Sequence, residues 1–211
     1  ITGLVAKRLL LEGVFRLPPA HWLSVDEGRL EKRRYWDVDP DLQIRHRTDE
    51  EYGEHFKEIF REAVRCRLRS PGPVGADLSG GLDSSSIVGT AQTLLGEAGA
   101  GAFPLETFSL VFPGEACDES SYIRDVLEMW KPRSSLLRVH ASESSYYREQ
   151  VGRYLDYPEY PNGWGCDPTP AAAREKGVRV ILGGLGGDEW LTGSYCHYAD
   201  FLQQCKPLDL L

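Results

Sequence analysis

Apolar positions along this chain follow two rhythms, and their order predicts the fold. Tyr52, Phe56, Ile59, Phe60, Ala63 and Leu68 recur at helical spacing, which predicts an amphipathic helix over about 49–69. Thr48 followed by Glu51 gives it a capping box, and Ser70-Pro71-Gly72-Pro73 ends it. Residues 74–78 read as a short apolar strand. Ile87, Val88, Ala91, Leu94 and Leu95 then mark a second amphipathic helix that Gly96 is expected to stop. Strand-like runs follow at 107–112, 136–140 and 179–182, with helical patterns between them at about 119–130, 142–154 and 169–176. Strands alternating with helices imply parallel strands joined by helical crossovers. The expected fold class is therefore α/β: an open parallel sheet with helices on both faces. The first 47 residues differ, reading as short strands and turns, with 21–25 and 32–36 flanking Asp26-Glu27-Gly28 as a β-hairpin. The expected organisation is an N-terminal hairpin segment over 1–47 and an α/β domain over 48–211. The stretch 156–170 is rich in proline, glycine and aromatics and reads either as a surface loop or as a lid over the sheet.

Composition narrows the function classes. With 211 residues, 41% hydrophobic and 27% charged, the chain can bury a core. Its formal charge of −8 argues against a partner bound through phosphate-backbone neutralisation, so no nucleic-acid partner is expected. No apolar run approaches the ~18 residues of a membrane span, and Ile1-Thr2-Gly3 lacks a signal-peptide layout. The five cysteines (Cys66, Cys117, Cys166, Cys196, Cys205) are odd in number and contain no C-x-x-C pair. That fits reduced thiols in the cytoplasm better than a disulfide framework.

Two glycine-rich loops carry the candidate chemistry. In Ser79-Gly80-Gly81-Leu82-Asp83-Ser84 the glycines let backbone N–H groups converge on an anion, and the following helix adds the positive end of its dipole. Ser79, Ser84 and Ser85 add hydroxyl donors. Neither G-x-x-x-x-G-K-[ST] nor G-x-G-x-x-G occurs there, which excludes a Walker loop and a dinucleotide fingerprint. Asp83 would repel phosphate unless a divalent cation lay between them, so it reads either as a Mg²⁺ ligand or as a plain helix N-cap. The second loop, Gly183-Gly184-Leu185-Gly186-Gly187-Asp188-Glu189, repeats the arrangement: a strand, a backbone able to approach a ligand closely, then two carboxylates. Both loops follow strands and so fall at the carboxyl edge, where open α/β sheets bind ligands.

Ser79-Gly80-Gly81-Leu82-Asp83-Ser84 resembles the pyrophosphate-binding loop of the N-type ATP pyrophosphatases. Gly-Gly-Leu-Gly-Gly-Asp-Glu narrows the resemblance to the synthetase domain of the asparagine synthetase family. The likeness runs from about Gly13 to Lys206 and includes Arg34-Tyr35-Trp36 and Phe108-Ser109-Leu110. It implies ATP-dependent activation of a carboxylate, aspartate in asparagine synthetases, with pyrophosphate release and attack by ammonia or another amine. It also implies that Leu78 and Leu110 flank the adenine and that Gly183 and Gly184 bind it through backbone. Ser79, Gly80, Gly81 and Ser84 would hold pyrophosphate, with Asp83 and Asp188 on Mg²⁺.

The sequence departs from the family pattern in three ways. The glutaminase domain and its N-terminal cysteine nucleophile are absent from these residues, so a partner domain or protein, glutaminase or leader-processing, is expected. The chain stops soon after the second loop and reads as a fragment lacking the C-terminal part of the site. Leu185 stands where asparagine synthetases usually carry glutamate. That leaves the role of base to Glu189 or a more distant group, or else points to a larger amine as in a macrolactam- or β-lactam-forming cyclase, while the truncation keeps open a catalytically silent ATP-binding module. Leu185 itself is expected either to project toward the reacting atoms or to pack under the loop. A serine hydrolase is disfavoured because Asp77 stands where the G-x-S-x-G elbow needs glycine.

Overall fold

A computed structural model describes residues 13–39, 41–99, 103–139, 144–154 and 168–188. The chain divides into two units, one of residues 1–54 with 141–166 and one of 55–140 with 167–211.

In the first unit, strands β1 (His21–Asp26) and β2 (Arg29–Arg34) form an antiparallel hairpin. The turn is Glu27-Gly28 at φ 45° and 82°, and positive φ at both positions is the two-residue hairpin turn whose twist matches the strands. The second strand begins three residues earlier than the 32–36 expected, because this short turn pairs Asp26 with Arg29. Tyr35 and Trp36 therefore lie beyond the strand, and both are exposed. Helix α4 (Ser144–Tyr154) belongs to the same unit.

Helix α1 (Asp49–Arg67) starts at the expected capping box: the Glu51 N–H donates to Thr48 Oγ1 at 3.3 Å. The glutamate returns one residue further back than the usual pattern, accepting from the Arg47 N–H at 2.7 Å.

The second unit is built on a four-stranded parallel sheet in the order β5-β4-β3-β6. Its strands are β3 (Val74–Asp77), β4 (Glu106–Val111), β5 (Arg133–Arg138) and β6 (Val180–Leu182). Helices α2 (Leu82–Ala98) and α3 (Ser120–Trp130) follow β3 and β4, and α5 (Thr169–Glu175) precedes β6. Because successive strand residues face opposite sides, the sheet sorts its side chains into two clusters. Val74, Ala76, Leu78, Leu105 and Leu182 pack with Val64 of α1, Val88 and Ala91 of α2 and Ile123 of α3. Phe108 packs on the other face with Ala173 and Val178, joined by Leu137 and Ile181. Burying a side chain such as Phe108, 2% exposed, contributes about 1.5–3 kcal/mol. Gly75 is required here: a Cβ would lie 2.9 Å from both Phe108 Cε2 and Val178 Cγ1.

Two element boundaries and one apolar stripe differ from the sequence expectation with a clear physical cause. The second helix runs through Gly96 to Ala98, since one glycine costs a helix only about 1 kcal/mol and Leu94 and Leu95 still pack on the core. The third parallel strand, β5, starts at Arg133, not 136, because pairing with β4 begins at Glu106↔Arg133. The apolar stripe of α1 is covered only toward its end: Val64 is buried, while Tyr52, Phe56 and Ile59 are exposed. Residues 155–167, most of the expected loop or lid, lie outside the described residues, and 168–170 lead into α5. Among the described residues no helix is long and apolar enough to cross a membrane.

Candidate active site

The strand order fixes where a ligand crevice forms. From β3 the chain moves through α2 to β4 and β5 on one side, and β6 lies against β3 on the other. The order reverses beside β3, and open α/β sheets bind ligands outside the carboxyl ends at such a point. Both glycine-rich loops emerge there, one from β3 and one from β6.

The first loop is shaped by its own hydroxyls. Ser84, buried in the first turn of α2, accepts the Ser79 N–H at 3.2 Å and donates to the Gly81 carbonyl at 3.2 Å. The Ser79 hydroxyl lies 3.0 Å from Ser84 Oγ and accepts the Gly81 N–H at 3.3 Å. This knot holds Gly80 at φ 90° and seats it on α3, where a Cβ would fall 2.7 Å from Tyr122 Cβ. The residue that precedes the helix is Gly81, with no side-chain cap. Asp83 is therefore inside the first turn, and the N-cap alternative does not describe it. The first-turn N–H groups of α2 have no intrahelical acceptors and face the crevice mouth with the positive end of the helix dipole.

The second loop lies directly on that first turn. At Gly184 a Cβ would come 2.9 Å from Asp83 Cβ and 3.1 Å from the Ser84 nitrogen. At Gly187 it would meet the whole Asp83 carboxyl group, all three atoms within 2.6 Å. Asp188 follows at once, so the fold brings Asp83 and the second loop together across 104 residues of sequence. Gly187 N–H closes the turn on the Gly184 carbonyl at 3.2 Å. Glu189 lies outside the described residues.

A cavity of about 880 Å³ opens beside this junction. Leu82, Asp83, Ser85, Gly184, Leu185 and Gly187 line its loop end, and Phe56 and Phe60 of α1, stacked at 5.9 Å, line its flank. Leu185 is 83% exposed and Leu82 88%. Leu185 thus does not pack under the loop; it stands out from it at the cavity. Among the described residues the buried Ser85 Oγ has no hydrogen-bond partner, in a turn otherwise knotted by Ser79 and Ser84. Among the described residues no cluster of three metal-ligating side chains exists. Two carboxylates suit Mg²⁺, which takes one or two from protein and the rest from water and phosphate.

The sheet separates the two leucines expected at the adenine. Leu78 is 1% exposed and its side chain belongs to the core beneath α2; what it offers the crevice is backbone, its N–H held by the Phe108 carbonyl at 2.9 Å. Leu110, half-buried, shares the opposite face with Phe108. Sequence reasoning missed two residues. Asp77 ends β3 exposed, its Oδ2 3.4 Å from where a Gly183 Cβ would stand. Asp118 organises the loop after β4, accepting from the Phe112 N–H at 3.1 Å and the Ser120 hydroxyl at 2.7 Å. The Ser120 hydroxyl and then the Phe112 N–H hold its carboxyl below the usual carboxylate range. The strand period could have found Asp77; a D-x-S turn before a helix could have found Asp118.

A four-stranded parallel sheet with helices on both faces and two apposed glycine-rich loops defines an α/β fold of the adenine-nucleotide α-hydrolase type. Residues 55–209 match the asparagine synthase family model, and the chain belongs to that family. It is 27% identical to amidase chyE of Penicillium rubens over 95% of its length and 29% identical to amidase chry2 of Gibberella zeae over 92%. It is 33% identical to asparagine synthetase (glutamine-hydrolyzing) 3 of Bacillus subtilis over 48%. The chain spans 32%, 31% and 16% of those three relatives.

Proposed function

We propose that these residues form the ATP-binding half of an amide-forming ligase. A carboxylate oxygen of the substrate attacks the α-phosphorus of ATP, the bond to the β-phosphate oxygen breaks, and pyrophosphate leaves. An amine nitrogen then attacks the acyl carbon, the bond to AMP oxygen breaks, and the nitrogen gives up a proton. The observation that carries this reading is the apposition of Gly184 and Gly187 on the Asp83 turn at the switch point of the sheet. Ser79, Gly80, Gly81, Ser84 and Ser85 supply backbone and hydroxyl groups to the leaving pyrophosphate, placed before the charge develops. Asp83 and Asp188 would hold Mg²⁺, which supplies charge neutralisation at the pyrophosphate. Gly183, Gly184 and Leu110 would border the base.

The test is calorimetry of ATP with Mg²⁺ and with EDTA, together with aspartate-dependent ATP–pyrophosphate exchange, on the full-length protein. Binding should require Mg²⁺, and Asp83→Asn should lower exchange by about 10²-fold, the scale for one preorganised electrostatic contact. Equal affinity in EDTA, or an Asp83→Asn protein within twofold of the parent, would sink the reading.

One observation favours a second reading within the family. Leu185 and Leu82, both exposed at the cavity, give its rim an apolar stretch, and Leu185 itself cannot take the proton of an incoming ammonium as a carboxylate at that position would. A larger amine, as in a macrolactam- or β-lactam-forming cyclase, suits that rim. Leu185→Glu should then raise ammonia-dependent amide formation. Asparagine synthesis by the native protein at an ordinary rate, near 10 s⁻¹, would return the assignment to plain asparagine synthetase.

A further inference from the structure

The segment between β4 and α3 is tied to itself by one carboxylate. Asp118 Oδ1 accepts the N–H of Phe112, which follows the strand, at 3.1 Å. It also accepts the hydroxyl of Ser120, the first residue of the helix, at 2.7 Å. Two backbone turns fill the interval: the Glu115 N–H donates to the Phe112 carbonyl at 3.0 Å, and the Asp118 N–H to the Glu115 carbonyl at 3.1 Å. Glu119, which precedes the helix, makes no side-chain cap of its own. Asp118 thus fixes the entry of α3 to the end of β4. The far end of the helix is held separately, where the Gln92 side chain donates to the Trp130 carbonyl at 2.8 Å.

The entry of α3 is also where the first glycine-rich loop rests. A Cβ at Gly80 would stand 2.7 Å from Tyr122 Cβ, 3.1 Å from the Ile123 nitrogen and 3.3 Å from the Tyr122 carbonyl carbon. With no side chain between them, a shift of this turn passes directly to Gly80. From there it reaches Ser79 and Gly81, which the hydroxyl knot with Ser84 holds together. We propose that Asp118 is a positioning residue for the nucleotide. Without touching phosphate or metal, it holds the first turn of α3 where Gly80 can seat, and so aligns the N–H groups of the loop with the pyrophosphate. This deepens, and rests on, the ATP-ligase reading above.

The hydrogen bonds determine which substitutions should matter. Both partners of Asp118 are donors, so the position needs an acceptor oxygen and no charge. Asparagine keeps that oxygen, and Asp118→Asn should hold the turn nearly as well as the parent; alanine keeps nothing. A carboxylate that ligated Mg²⁺ would behave otherwise, because its charge is what the ion takes, and asparagine would then fail as alanine does. The loop serves the β- and γ-phosphates, so ATP should respond to the loss of Asp118 and AMP, which lacks both, should not. Misplacing a site by an ångström from outside costs up to about 10²-fold, and a loop that keeps its own knot should lose about tenfold in ATP affinity.

The test is calorimetry of ATP, and of AMP by displacement, with Mg²⁺ on the full-length protein and its Asp118→Ala, Asp118→Asn and Ser120→Ala variants. All are measured well below their melting temperatures. ATP affinity should fall about tenfold in Asp118→Ala and stay within about threefold of the parent in Asp118→Asn, with AMP affinity unchanged in both. Ser120→Ala, which removes one of the two bonds, should lose part of the ATP affinity, about threefold or more. Unchanged ATP affinity in folded Asp118→Ala means that the core contacts of α3 seat the loop alone, and overturns the proposal. Equal losses in Asp118→Asn and Asp118→Ala, or a loss of AMP as large as that of ATP, overturn it too. If Asp118→Ala fails to fold, Ser120→Ala decides: ATP affinity equal to the parent refutes the role of Asp118 and leaves the nucleotide site standing. A parent that binds no ATP overturns the nucleotide site itself, and this inference with it.

Discussion

Replacing Gly187 by alanine separates the chemistry of the site from its stability. The new Cβ would sit within 2.6 Å of Cγ and both oxygens of Asp83. Ordinary contact begins near 3.4 Å, so the carboxyl group must withdraw by about an ångström or swing to another rotamer, at a conformational cost of about 0.5–1.5 kcal/mol. Asp83 belongs to neither core cluster, and Gly187 lies outside the core. The fold should therefore survive, with a melting temperature only a few degrees lower, as ~1 kcal/mol moves a domain of this size by about 2–4 °C. The chemistry should not survive. On the proposed reading Asp83 acts through Mg²⁺, so a carboxylate displaced by an ångström would no longer hold the ion at the pyrophosphate, and a displacement of that size costs about 10²-fold. ATP–pyrophosphate exchange on Gly187→Ala should therefore fall about as far as on Asp83→Asn, and the double variant should be little worse than either, since both remove one group. Exchange within threefold of the parent in a folded Gly187→Ala protein would refute the argument. So would additive losses in the double variant.

Three further outcomes follow from packing and electrostatics. Gly96→Ala, inside α2 with nothing within 4 Å of the added Cβ, should stabilise the protein by about 0.5–1 kcal/mol in urea unfolding; a loss of stability would show that Gly96 has a packing role. Gly75→Ala drives a Cβ to 2.9 Å from Phe108 and Val178 and should cost about 1–3 kcal/mol, read as a lower denaturation midpoint at constant slope; an unchanged midpoint would mean that the layer yields freely. Asp118 has a folded pKa below its unfolded value. Its contribution is therefore present above the ordinary carboxylate range and lost as pH falls through the lower folded value. Asp118→Ala should flatten that part of the acid-unfolding curve, and identical acid limbs would contradict the Ser120 and Phe112 hydrogen bonds.

Much of this protein was legible from its residues alone. The 3.6 and 2.0 periods named the elements of the parallel sheet. Ser79-Gly80-Gly81 and Gly183-Gly184 named the loops, because sparse side chains and adjacent carboxylates have few uses. Thr48 and Glu51 set the start of α1 through a contact three residues long. What sequence could not decide depended on which neighbour each residue meets. The end of α2 was set by the core packing of Leu94 and Leu95, which overrides the local cost of Gly96, and the start of β5 by its register with Glu106. Adjacent positions look alike in a sequence, yet a one-residue step on a strand changes the face of the sheet. Leu78 therefore went to the core and Asp77 to the crevice. The contact of Gly187 with Asp83 joins residues 104 apart, and only the order of β3 beside β6 brings them together. Local rules fixed what each segment could become; sheet order and alternation, which are long-range, fixed which side chains share the site.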